Sequence, residues 1–259
     1  MLNMKIVVLA IFWLAELIVL PFFIKAGYPT RTTKSFILKV VLASIYLAAG
    51  LVAVFCLWTP YVYSKAAGSG MIDFSSTISN IVKALMLGWV GDVMLGVAHF
   101  FDVKNKKLAD VISFLGAAVF FAGHVFYVVA FLMGIKTING SIPWWLWVIA
   151  AVIAVLWSAT LQVLKVKLGK LLVFNGIYGA GISLMMTSAI VLGGMCIAKG
   201  NILLGILLIL GSVGFTSSDY SLTCESYGDD CFDKFGFRAQ RQVAYFVGQM
   251  MFATTLVLW

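Results

Sequence analysis

The sequence predicts an all-α, polytopic membrane protein: a bundle of eight transmembrane helices forming a single transmembrane domain, residues 1–259. Three observations predict it. Of the 259 residues, 63% are apolar and only 11% are charged, against about 25% charged in an ordinary soluble domain. The mean hydropathy is +1.06. So few charges do not cover a water-facing surface, which excludes soluble and disordered classes. Next, eight stretches are long and apolar enough for a hydrocarbon core of about 30 Å, which takes about 20 residues of helix. Finally, the stretches lack the period-two alternation of a membrane β-barrel. Helices satisfy their own backbone hydrogen bonds in lipid, and isolated strands do not.

The expected spans are 5–26, 36–58, 78–101, 109–134, 143–164, 171–198, 201–222 and 240–259. The first contains the run Ile6 to Ile24, which is too long for a signal-peptide core and has no small-residue cleavage site after it, so it reads as a retained span. Between spans two and three lies the longest gap, Thr59 to Thr77. It is polar, carries Gly68-Ser69-Gly70, and reads as an exposed loop. Span five opens at Pro143. Spans six and seven are divided by Lys199, Gly200 and Asn201 alone, the thinnest of the boundaries. The formal charge is +8. Its basic residues sit in short gaps between apolar runs, which points to a membrane surface and not to nucleic acid. Most of the 18 basic residues, Lys25, Arg31, Lys34, Lys104 and Lys165 among them, fall in or beside the gaps after spans one, three, five and seven. The positive-inside rule then puts both termini outside the cytoplasm. In that orientation Cys224 and Cys231, which flank the acidic turn Glu225 to Asp230, face a reducing compartment and read as free thiols. Cys56 and Cys196 read as packing residues.

A carboxylate at the bilayer centre costs at least about 2.5–3.5 kcal/mol, so acids at depth usually face a protein interior and mark a site. Glu16, Asp92 and Asp219 fall inside the expected spans, with His99 and His124 and the neutral polar residues Gln162, Asn175, Ser183 and Gln249. Gly88, Asp92 and Gly96 share one helix face, which His99 continues. That spacing reads as a glycine-lined groove holding an acid, or as a packing face whose acid bonds a neighbouring helix. Asp219 follows Ser217 and Ser218 near the cytoplasmic end of span seven, where it is either buried among hydroxyls or interfacial. His124 and Tyr127 are one turn apart, with Phe120 and Phe131 extending the stripe. Such a stripe is core packing as often as a binding surface. Glu16 has no motif around it, and either pairs with a lysine or joins a site. Asp92 is followed in the next span by Gly123-His124, and Asp219 in its next span by Gly248-Gln249. The correspondence suggests two parallel four-helix halves, an arrangement that often brackets a site.

The motifs taken together resemble the YhhN family of membrane lysoplasmalogenases. They are Gly88-x-x-Gly91-Asp92-Val-Met-Leu; Phe114-Leu-Gly116-x-x-x-Phe120-x-x-Gly123-His124-x-x-Tyr127-x-x-Ala130-Phe131; Tyr178-x-x-x-Ile182-x-x-Met185; Gly211-x-x-x-Phe215-x-x-Ser218-Asp219; and Tyr245-Phe-x-x-Gln249. They occur in the family order and cover most of the chain after span two. The chain departs from the family where Lys34 is followed by Ser35 in place of Pro, and in longer loops at 59–77 and 224–238.

The resemblance implies an eight-span enzyme that hydrolyses the vinyl ether of lysoplasmalogens to a fatty aldehyde and a glycerophospho-ethanolamine or -choline. A proton goes to the β-carbon of the alkene, water attacks the resulting oxocarbenium ion, and the hemiacetal collapses. As in glycoside hydrolysis, one carboxylic acid donates and a second carboxylate stabilises the cation or activates water. A low-dielectric pocket disfavours the charged form of an acid, so buried carboxyls suit the donor role. Asp92 and Asp219 are the expected catalytic pair, with the assignment of acid and base open. His124, Tyr127, Tyr178, Ser218 and Gln249 are expected to orient water or the glycerol hydroxyl. Lys34 and Arg31 either hold the phosphate or anchor the helix at the membrane surface. No cofactor or metal is expected, since no ligand set has zinc spacing. A serine nucleophile is disfavoured by the lack of a Gly-x-Ser-x-Gly elbow. The expected partners are the vinyl-ether lysophospholipid and membrane lipid, with no nucleic acid and with a homodimer as one open arrangement. The expected location is a bacterial plasma membrane or the endoplasmic reticulum. Two rivals stand beside the hydrolase. A small proton-coupled transporter would use intramembrane acids too, although Pro21, Pro29, Pro60 and Pro143 all lie at span ends or in loops. A catalytically silent lipid-binding protein on the same fold is the other.

Overall fold

Eight long helices account for nearly all the described residues of the computed structural model, which are 2–30, 32–58, 74–102 and 105–259. They are α1 (Leu2–Ala26), α2 (Thr33–Val52), α3 (Ser75–Asp102), α4 (Lys106–Asn139), α5 (Trp144–Val163), α6 (Leu172–Ala198), α7 (Ile202–Tyr227) and α8 (Phe235–Thr255). A π-helical turn, Ala53–Trp58, prolongs α2. The tip of the expected loop at 59–73, with its Gly68-Ser69-Gly70, lies outside the described residues, as do Arg31, Lys104 and the side chains of Cys56 and His99.

Seven helices, α1 to α7, are long and apolar enough to cross a membrane, which makes the chain an integral membrane protein. The expected eighth span differs. It drew its apolarity from Leu256, Val257, Leu258 and Trp259, but α8 stops at Thr255 and begins at Phe235. The helix therefore adds Arg238 to the Gln240, Arg241 and Gln242 already in the expected span and gives up the apolar tail, so α8 is not among the seven.

Local chemistry sets several boundaries. Thr32 caps α2: its hydroxyl accepts from the Ser35 amide at 3.1 Å, and the Ser35 hydroxyl accepts from the Thr32 amide at 2.9 Å. Such a reciprocal cap is worth about 1 kcal/mol, and a proline at 35 could not form it. The thin boundary after α6 is real. Gly200 takes a left-handed φ of +89°, and the Asn201 side chain accepts from the Leu204 amide at 3.4 Å to open α7. At the other end, α7 runs past its expected limit of 222 to Tyr227, which leaves Asp219 about two turns inside the helix.

The chain forms two compact units. The first comprises residues up to Phe126 together with Phe252–Trp259. In it α2 packs against α1 and α3, through a stripe of Leu42, Ala43, Tyr46, Ala49 and Gly50 at helical spacing. Trp13 of α1 donates its indole N–H to Thr254 Oγ1 at 3.0 Å. The expected glycine groove of α3 proves to be divided and filled. Gly96 receives the ring of Phe36, Gly91 receives the ring of Phe120, and the backbone of Gly88 meets Gly123. A helix approaching from one side only would have left that groove open; here two neighbours close on it from different directions.

The second unit is Tyr127–Met251. Within it α6 packs on α5 and α7. Gly193 and Gly205 let α6 and α7 cross with their backbones in contact. Gly248 of α8 sits against α7, where an added Cβ would lie 3.0 Å from the Gly211 carbonyl oxygen. This is the small-residue packing by which helices approach closely in lipid.

Candidate functional site

In the first unit the polar side chains meet where α2 faces α3. Lys39 and Tyr46 are seven residues apart, hence two turns apart on one face of α2. Both point at Asp92 of α3. Lys39 Nζ lies 3.0 Å from Asp92 Oδ1, and the Tyr46 hydroxyl donates to Asp92 Oδ2 at 3.1 Å. A further α2–α3 bond, from Trp89 Nε1 to Ser44 Oγ at 3.1 Å, lies beside them. Asp92 is 1% exposed and Lys39 18%. Removing one partner of such a buried pair typically costs about 3–5 kcal/mol, because the other charge is then left uncompensated. Glu16 of α1 is 0% exposed and within electrostatic reach of Asp92. Neither of its carboxyl oxygens has a hydrogen-bond partner among the described residues. His124 is buried in the same unit. Lys34 stands exposed in the first turn of α2.

In the second unit the acid is held differently. The Tyr178 hydroxyl of α6 donates to Asp219 Oδ2 of α7 at 2.9 Å. The Thr223 hydroxyl donates to the Asp219 backbone carbonyl at 3.1 Å. Asn175 Nδ2 donates to Thr223 at 3.4 Å, and Trp157 Nε1 to Asn175 Oδ1 at 3.3 Å. Asn175 lines a cleft with Ser158 and Gln162, so this polar chain runs from the cleft to the backbone beneath Asp219. Asp219 is 7% exposed and Ser218 is buried beside it. Asp219 thus lies in the protein interior. Tyr127 donates to Gln249 Oε1 at 2.7 Å, and Gln249 Nε2 donates to the Tyr245 hydroxyl at 3.4 Å. The Tyr127 ring meets Phe215 edge-on, with centroids 6.2 Å apart. A cation is present as well, but it serves another acid: Arg241 Nε donates to Glu225 Oε2 at 2.7 Å. Arg241 is within electrostatic reach of Asp219. Arg238 joins the same cluster, 3.4 Å from Glu225 Oε1 and paired with Asp233. Cys224, in the last turn of α7, is buried and Cys231, after the helix, is exposed, both as free thiols.

A family model described as the YhhN family matches residues 66–256. The chain belongs to the YhhN family. The match takes in Asp92, His124, Tyr127, Tyr178, Ser218, Asp219 and Gln249, and so bears out the resemblance carried by the five sequence motifs. It begins after Glu16, Lys34, Lys39 and Tyr46. No curated protein and no solved structure matches the chain. Membership in the YhhN family is compatible with a membrane hydrolase.

Tyr178 and Asp219 bond directly, and Tyr127 bonds Gln249. Asp92 belongs to the first unit and Asp219 to the second. Sequence reasoning missed Lys39 and Tyr46 as partners of Asp92. Lys39, just inside the expected second span, counts in the sequence among the basic residues flanking the gaps, and the signal that could have found it was its two-turn spacing from Tyr46. It also missed the Glu225–Arg241 pair, which joins the end of α7 to α8.

Proposed function

We propose that this protein is a membrane lysoplasmalogenase of eight spans, with α8 as the last. The observation that carries the reading is YhhN membership over a region that includes an acid, Asp92, almost fully buried in an apolar helix. Buried, positioned carboxyls are what acid-catalysed vinyl ether cleavage requires. Asp92 and Asp219 are the reactive carboxylates of this scheme. Asp92, engaged at both oxygens by Lys39 and Tyr46, takes the proton of the attacking water and faces the oxocarbenium ion. Asp219 is oriented by Tyr178. His124, Tyr127, Ser218 and Gln249 orient water and the glycerol hydroxyl. Exposed Lys34, in the first turn of α2 where the helix dipole also favours an anion, receives the phosphate.

The test is direct. Purified protein in detergent is given lysoplasmenyl-ethanolamine or -choline, and free fatty aldehyde is followed. Release that scales with enzyme and is lost in Asp92→Asn supports the reading. A folded wild-type protein that binds the lipid and releases no aldehyde removes it.

A further inference from the structure

The first step of that chemistry needs a neutral carboxylic acid, and Asp92 is poorly suited to supply the proton because an ammonium sits 3.0 Å from it. Glu16 has the opposite environment. It is fully buried, and neither oxygen is bonded to any described residue. It lies in the same unit as Asp92 and within electrostatic reach of it. An ionised carboxylate with no hydrogen bond, beside a second carboxylate, is among the costliest arrangements a protein interior can hold. Two carboxyls that share a site resolve the conflict by keeping a proton on one of them. Lys39 and Tyr46 engage both oxygens of Asp92, so the proton falls to Glu16. The other face of α1 turns Leu14, Leu17 and Ile18 outward, which puts Glu16 on a helix that a lipid chain can lie against.

We propose that Glu16 is the proton donor to the enol-ether carbon, working with Asp92 as the first unit's carboxyl pair. The role rests on the hydrolase reading; the residence of a proton on Glu16 does not. The Glu16 O–H bond breaks as a C–H bond forms at the β-carbon, and the electron pair of the alkene leaves an oxocarbenium ion at the α-carbon. Water bonds to that carbon and gives a proton to Asp92. The hemiacetal hydroxyl then returns a proton to Glu16 as its C–O bond becomes the aldehyde C=O. The bond to the glycerol oxygen breaks with that oxygen taking from Asp92 the proton that water gave it. One water is consumed, and both carboxyls recover their initial state.

The experiment uses the full chain in detergent, with infrared spectra in H2O and D2O at neutral pH and steady-state kinetics on lysoplasmenyl-ethanolamine. The wild type should show the C=O stretch of a protonated carboxyl that shifts in D2O. Glu16→Gln should lose that band, and Asp219→Asn should retain it. In the same Glu16→Gln protein kcat should fall by about 10²-fold or more, with KM within about threefold of wild type. Glu16→Asp should regain the band and part of the activity, which separates proton donation from packing. A band unchanged by Glu16→Gln overturns the proposal. So does full kcat in Glu16→Gln while Asp92→Asn is inactive, and that result leaves the hydrolase reading standing. A wild type that releases no aldehyde ends the hydrolase reading and the donor role together, and the infrared band then decides alone whether Glu16 holds the proton.

Discussion

The two units contain similar chemical parts in different arrangements. Each has two buried or nearly buried carboxyls, a basic side chain and a tyrosine. In the first, the base Lys39 engages the family-region acid Asp92 directly, and the second acid Glu16 has no hydrogen bond among the described residues. In the second, the base Arg241 engages the second acid Glu225, and the family-region acid Asp219 is bonded by a phenol. The lesson concerns where charge is compensated. An ion pair placed on the family-region acid compensates its charge directly. An ion pair placed on a neighbouring acid leaves the family-region acid to be oriented by hydrogen bonds.

The largest effects should come from the two aspartates. Asp92→Asn should lower aldehyde release by about 10³-fold or more, and Asp219→Asn by about 10²-fold, within the range for positioned acid–base groups. Their stabilities should differ. Asn at 219 still accepts from Tyr178, so its melting temperature should stay near wild type. Asn at 92 leaves Lys39 facing a neutral amide, and its melting temperature should drop. Equal melting temperatures for the two variants would break the comparison.

Next in size come the cations. Lys39→Met should cost about 3 kcal/mol, the typical penalty for orphaning a buried partner, and the Lys39→Met/Asp92→Asn double variant should recover most of it. Arg241→Met should cost less, because Arg238 still lies 3.4 Å from Glu225 Oε1. The readout that separates them is activity per folded molecule. It should collapse in Lys39→Met and stay within about threefold in Arg241→Met, because Arg241 serves an acid outside the reaction. Chemical denaturation and single-turnover aldehyde release measure the two quantities independently.

How much of this was visible in the sequence follows from the kind of signal each feature leaves. Helices α1 to α7 were legible because each is an apolar run bounded by charge or glycine. The α6–α7 boundary was legible from Lys199-Gly200-Asn201, where a left-handed glycine and an asparagine cap do the work. The eighth helix was misplaced because hydropathy counts Leu256 to Trp259 without knowing that the helix has ended at Thr255. Asp92 and Asp219 stood out as acids in apolar stretches. Their partners did not. Tyr46 looks like any aromatic core residue, Lys39 like any membrane anchor, and the pairing depends on how α2 is rotated against α3, which one-dimensional periodicity does not encode. Ser35 was read as a departure from the family pattern, and only the backbone geometry turns it into half of a capping box.

The smallest expected effect is also the sharpest test of the comparison, because it removes one oxygen atom from each unit. Tyr46→Phe takes a hydrogen bond from Asp92 Oδ2 and leaves the lysine at Oδ1. A hydrogen bond to a charged group contributes about 1.5–3 kcal/mol, and the surviving ion pair should hold the loss to the lower end, with Asp92 still placed. Tyr178→Phe takes the corresponding bond from Asp219 Oδ2, where the nearby guanidinium is already directed at Glu225. Its loss should fall at the upper end, and the freed carboxylate should also be less well aimed, so aldehyde release should fall further in Tyr178→Phe than in Tyr46→Phe. Thermal unfolding and kcat measured side by side on the two phenylalanine variants check this. If Tyr46→Phe proves the more damaging of the two, the phenol and not the ammonium is what places Asp92, and the first unit holds its acid in the same way as the second.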